Sequence, residues 1–254
     1  MLKRELKINF KSLLVWSSVV AIMLIMVFSI YPSLMKSENI KMMDELINMF
    51  PQELMRVFNM DIISISSVYG WIKTEGYMFI CLFGSIYSSM LGANILWFLI
   101  SKPVKRNQIV TSKILCGIIN IFSFSMIIFI INMIGLLLSN EMIWKEFLLI
   151  SFVPLMLYYL MFFISLLISV IIKKSKTMTG ISLIVVFIPY LFQMIGSISD
   201  NIKILKQISF FEFVSIRYII ENAHINYIYL IISIIIIIIS VFITYTRYND
   251  KELV

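Results

Sequence analysis

Residues 101–113 read SKPVKRNQIVTSK. Four cations, Lys102, Lys105, Arg106 and Lys113, fall in this stretch, and no acid does. Residues 76–101 before it and 114–140 after it hold no charged side chain. Each run exceeds the ~20 residues a helix needs to cross a ~30 Å hydrocarbon core. A short basic turn between two such runs belongs on the cytoplasmic side by the positive-inside rule. Pro103 breaks a preceding helix and suits the first turn of a new one, so a small interfacial helix is expected at about 103–109. Accessible from the cytosol and joined to two spans, it is a candidate lever.

The same search for charge-free windows, carried outward, finds six spans. They are expected at about 13–34, 77–100, 114–138, 147–172, 178–199 and 226–246. One Lys at a helix centre costs about 2.5–3.5 kcal/mol on insertion, which gives such windows their meaning. Pro189, Gln193 and Gly196 interrupt the fifth, where a bend or re-entry is expected. Of the 254 residues 61% are hydrophobic and 14% charged, and mean hydropathy is +0.99. A soluble domain carries about 25% charged residues, so the fold class is an all-α integral membrane protein. Residues 1–254 read as one transmembrane domain.

With six spans both termini share a side. Placing them inside puts 13 of the 21 cations there against three acids, and leaves 8 cations and 11 acids outside. Every inner loop is then basic. The net charge of +7 is thus a matter of topology, and no nucleic-acid partner is expected. The first window is too long for a signal-peptide core and lacks a small-x-small cleavage site, so it is expected to remain as a span.

Residues 36–75 and 200–225 form the longer outer segments. In the first, Met43, Leu46, Ile47 and Phe50 repeat at helical spacing, and Leu54, Val57 and Phe58 share a face opposite Glu53 and Arg56. In the second, Ile204, Leu205, Ile208 and Phe211 lie between sparse charges. Both are expected to be amphipathic helices on the outer face or capping the spans.

Catalytic chemistry is hard to place. His224 is the one histidine, in an outer loop, and has no second histidine for a zinc site. HExxH, GxSxG and GxxxxGK[ST] are all missing, so no phosphate cradle of the usual kind exists here. Cys81 and Cys116 both fall in apolar runs and suggest neither a disulfide framework nor a metal site. The spans offer only neutral polar groups such as Asn94, Asn120, Asn132 and Gln193, which suits interhelical hydrogen bonds better than ion coupling. Gly84, Ser88 and Gly92, with Ser85, Ser89 and Ala93 one position on, make two small-residue rows at i+4 spacing on the second span. That face serves either packing within the chain or a moving or dimeric interface. Eighteen Met and twenty Phe are many; they suit a path for apolar cargo as well as plain lipid contact.

Taken in order, these stretches resemble a family. SKPVKRNQIVTSKIL, after a span ending in Gly92-Ala93-Asn94, resembles the PVSR-type segment of type-2 ATP-binding-cassette (ABC) exporter permeases. KRELKINFKSLLVW resembles their N-terminal elbow helix, TYTRYNDKEL their basic tail, and FPQELMRVFNMDIISISSVYGWIKTEGY their long first outer loop. The likeness extends to permeases of Gram-positive bacteria that export amphipathic toxin peptides such as phenol-soluble modulins. Two departures stand out: PVKR replaces PVSR, and the Glu-rich, Gly-Thr-containing segment common before it is missing, residues 95–100 following at once.

The resemblance implies a half-transporter in the bacterial plasma membrane, not an enzyme by itself. Two permease chains, identical or paired with a sister, would enclose a path, and two separate ATPase subunits would carry ATP and Mg. This chain itself would bind no cofactor and no metal. Lys102, Pro103, Val104, Lys105, Arg106, Asn107 and Gln108 would form the coupling helix, and Arg4, Glu5 and Lys7 part of the elbow. Amphipathic or hydrophobic peptides are the implied cargo, with hydrophobic drugs or lipid-like molecules as the alternative. A non-transporting anchor or assembly factor is the rival from another class.

Overall fold

Backbone polar groups that enter lipid must be satisfied within the protein, and a helix bonds them within its own segment. The computed structural model of the chain, which describes residues 1–34, 49–94, 106–172 and 177–250, follows that rule. Six helices are long and apolar enough to cross a membrane. They are α1 (Leu2–Leu34), α2, α3 (Arg106–Leu138), α4 (Trp144–Ile171), α5 (Met178–Ile198) and α6 (Tyr227–Asp250). α2 begins as Val68–Trp71 and runs through a π turn, Ile72–Gly76, into Tyr77–Asn94. No strand occurs among the described residues. The chain is an all-α, multi-pass membrane protein.

Three helix bounds differ from the charge-free windows. α1 starts at Leu2, so the expected elbow is not a separate element: it continues into the first span without a break. Its inward stripe explains this, because Glu5, the half-buried Asn9, Leu13, Ser17, Val20 and Leu24 recur at three- to four-residue steps and stay turned to one side. α3 is already helical at Arg106 and runs on to Leu138, so the described part of the expected 103–109 helix is its first turn. A change in polarity does not break a helix where neither Gly nor Pro intervenes. α2 begins at Val68, inside the expected outer segment. Ser67 caps it by accepting from the Gly70 amide at 2.9 Å, and the Glu141 carboxylate accepts from the Tyr69 amide at 2.7 Å. Lys73 and Glu75 are tolerated there because Lys73 pairs with Glu146 at 3.2 Å and the Trp71 indole donates to Glu75 at 2.6 Å.

Alternation of the six helices places Met1, the α2–α3 and α4–α5 connections and the end of α6 at one end of the bundle, the terminal end. The other connections form the far end. α2 is the central helix: 72% of its spanning window is buried, against 22% for α1 and 17% each for α5 and α6. α2 packs on α4 and α5, α1 pairs with α3, and α6 lies against α4 and α3. Aromatic rings tie four helices together. Trp16 of α1 meets Tyr87 of α2 at 6.4 Å, Tyr87 meets Phe124 of α3 at 4.9 Å, and Phe124 meets Tyr158 of α4 at 6.1 Å.

At the far end short helices close over the spans. Gln52–Val57 lies against α5, and a run of 3₁₀ and α turns, with helices Lys203–Ile208 and Ile216–Asn222, follows it. Phe211, Phe213, Val214, Ile216 and Ile219 are buried, and Tyr77 donates to the Val214 carbonyl at 2.7 Å. The described outer segments therefore cap the spans. The expected amphipathic run at Met43, Leu46 and Ile47 lies outside the described residues. α5 is one continuous helix, with no re-entry at Pro189, Gln193 or Gly196. Those three residues answer to the cap instead: Ser209 donates to the Pro189 carbonyl at 2.7 Å, Gln193 donates to Glu212 at 2.8 Å, and Gly196 admits the backbone at Lys206.

Candidate functional site

The terminal end carries the residues expected to form a lever. Lys102, Pro103, Val104 and Lys105 lie outside the described residues. From Arg106 the chain is in α3, where Asn107 and Gln108 are exposed while Ile109 and Val110 are buried. Asn107, Gln108, Thr111 and Ser112 share an open cleft of about 410 Å³ with Met1. Thr111 donates to the Asn107 carbonyl at 2.8 Å, so the 2.7 Å contact with Tyr245 of α6 is a bond that the phenol donates. The first two turns of α3 are thereby tied to the last turns of α6.

Of the expected elbow residues, Arg4 and Lys7 are exposed and Glu5 is buried, 7% accessible. Glu5 faces α3, where Lys113 is also buried, 1% accessible and without a hydrogen-bond partner at its amine among the described residues. The two are close enough to interact electrostatically. Asn9 donates to the Glu5 carbonyl at 3.0 Å and reaches the Cys116 thiol at 3.6 Å, and Asn120 bonds the Cys116 carbonyl at 2.8 Å. A polar seam of Glu5, Asn9, Lys113, Cys116 and Asn120 thus joins α1 to α3 below the apolar core.

By composition alone Lys113 belongs with the loop cations. The missed signal is phase: Ile109, Lys113, Cys116 and Asn120 repeat at the span's own helical spacing, and all are buried.

The small-residue rows lie in the centre of the bundle and are buried throughout. Tyr158 lies over Gly84, an added Cβ there falling 2.2 Å from its ring, and its hydroxyl donates to the Ile80 carbonyl at 2.8 Å. Gly92 admits the α4 backbone, with the Phe162 carbonyl oxygen 2.4 Å from where a Cβ would be. Ser89 donates to the Ser182 carbonyl of α5 at 2.8 Å and accepts from Ser165 of α4 at 2.5 Å. Ser85, Ser88 and Ala93 fill the remaining positions, the two hydroxyls without a partner among the described residues. These rows are occupied by the chain's own α4 and α5 and present no surface to a second chain.

His224 is exposed and stacks on Tyr227, centroids 5.6 Å apart. Cys81 and Cys116 are buried free thiols, and the described residues hold no His/Cys/Asp/Glu group able to bind a metal ion. Among known proteins, no family model, no curated protein and no solved structure matches this chain.

Proposed function

We propose that this chain is the permease subunit of an ATP-driven ABC exporter that moves amphipathic or hydrophobic peptides outward across a bacterial plasma membrane, with both termini cytoplasmic. The observation that carries the reading is the basic stretch of sequence 101–106, whose last residue, Arg106, begins α3. A push delivered to the start of α3 has a stiff path into the bundle. α3 is a single 33-residue helix tied near its start to α1 by the polar seam and to α6 by Tyr245. ATP and Mg would be held by a separate subunit, and a second permease chain would complete the path.

Transport in inside-out membrane vesicles tests this. Vesicles containing the chain and its native partners should accumulate a fluorescent amphipathic helical peptide when ATP is added, and an uncoupler should not prevent it. Accumulation that collapses with the uncoupler while ATP stays high would instead mark an ion-coupled carrier. Alanine at Val104, Lys105 and Arg106 should abolish ATP-driven uptake. Full function in that triple variant would favour an anchor whose basic turn serves topology alone.

A further inference from the structure

Against the outer turns of α2 an apolar pocket of about 170 Å³ holds a single acid. Phe50, Leu54, Met55, Phe58, Met60 and Ile65 line it, together with Glu75 of α2. Phe50 and Leu54 are exposed, 52% and 42%, and Ile65 is buried, so the pocket runs inward from the surface. Glu75 falls inside the spanning window Val68–Ala93. A charge in such a segment is costly, and those that persist mark binding sites and ion paths unless a partner accounts for them. Lys73, the other charge in that window, is matched by Glu146. Glu75 accepts a bond from the Trp71 indole, a neutral donor, which fixes the carboxylate without cancelling its charge.

The carboxylate is built into its position. α2 makes a π turn over Ile72–Gly76, and such turns recur at functional sites in helices. Gly76 makes room for Trp71: an added Cβ there falls 2.8 Å from the indole ring, whose N–H donates to Glu75 at 2.6 Å. Tyr31 of α1 packs on the same indole, centroids 6.3 Å apart, and donates to the carbonyl of Ile65 in the pocket wall. The Glu75 and Glu141 carboxylates both act on the Tyr31 hydroxyl, so a second negative charge lies near the first.

We propose that this pocket binds an amphiphilic cation, a molecule with an apolar body and one amine head. The Phe rings offer faces to a cation, the Met side chains re-pack around apolar groups of differing shape, and Glu75 pairs with the head. A cavity of about 150 Å³ takes a benzene ring, so a ring-sized body fits here. A neutral apolar occupant would seal the carboxylate in apolar surroundings without a counter-charge, which favours the cation. The inference rests on the pocket and stands whether or not the chain is an exporter.

The test measures binding of radiolabelled phenethylammonium to the full chain in phosphatidylcholine nanodiscs, with uptake by empty discs subtracted. Labelled phenylethanol, the same ring with a neutral head, is measured alongside. Saturable binding of the amine is expected, with the alcohol about tenfold weaker. Glu75→Gln keeps an acceptor for Trp71 and should weaken the amine about tenfold while leaving the alcohol unchanged. Leu54→Trp takes up space in the pocket and should weaken both ligands. Glu53→Gln removes an exposed acid of helix Gln52–Val57 that lies outside the lining, and should bind both as the parent does. The proposal is overturned if the amine does not bind saturably or the alcohol binds equally well. It is also overturned if Glu75→Gln binds the amine like the parent or loses both ligands alike, if Leu54→Trp changes neither, or if Glu53→Gln loses the amine equally.

Discussion

Gly92 and Glu212 show how single residues are committed by their surroundings. An added Cβ at Gly92 meets a backbone oxygen of α4, which cannot rotate away as a side chain would. Gly92→Ala should therefore lower the thermal midpoint in detergent, at a cost of about 1–3 kcal/mol. Gly180, with nothing within 4 Å of its added Cβ, should accept Ala without loss. Glu212 answers to pH. Its folded carboxyl is raised above the ordinary value of 4.5, chiefly by burial, so between the two values the folded chain binds a proton more tightly than the unfolded one. Its contribution to stability is full below the unfolded pKa and is lost as pH rises through the folded one. The midpoint should fall as pH rises from about 4.5, and Glu212→Gln should flatten that part of the profile.

At the scale of elements, the seam between α1 and α3 is the informative one. Glu5 and Lys113 are both buried there, and removing either leaves the other as a buried charge without its neighbour. Lys113→Met and Glu5→Gln should each lower the midpoint, and the double variant should recover much of the loss, with a coupling of about 0.5–3 kcal/mol in a double-mutant cycle. Most elements are legible in the sequence, because a charge at a span's centre is costly enough to leave charge-free windows. At α2 the window ends short of the helix because its charges are paired. Lys73 finds Glu146 across 73 positions, a tertiary fact that let α2 begin at Val68 within a stretch read as an outer loop. α1 and α3 begin before their charge-free windows for another reason, since a change of polarity does not end a helix.

For the whole molecule, the six-helix, multi-pass architecture follows from composition and window length, while the ion pairing at the far end does not. Asp61 and Arg217 lie 156 positions apart, and nothing local marks them as partners. The cations of 101–113 are plain in the sequence, but the burial of Lys113 follows only from its helical phase with the span. Orientation is testable with thiol labelling, because both native cysteines are buried. Asn107→Cys and His224→Cys place exposed thiols at opposite ends. In intact cells an impermeant reagent should label the second and spare the first, and the reverse pattern would invert the topology.

Purification of the tagged chain from its native membrane in mild detergent decides whether it is an ABC permease. A stoichiometric soluble ATPase with a GxxxxGK[ST] loop should co-purify with the parent and be lost when Lys102, Lys105 and Arg106 are replaced by Ala. Recovery of no such ATPase, under conditions that keep other membrane complexes together, would contradict the permease assignment.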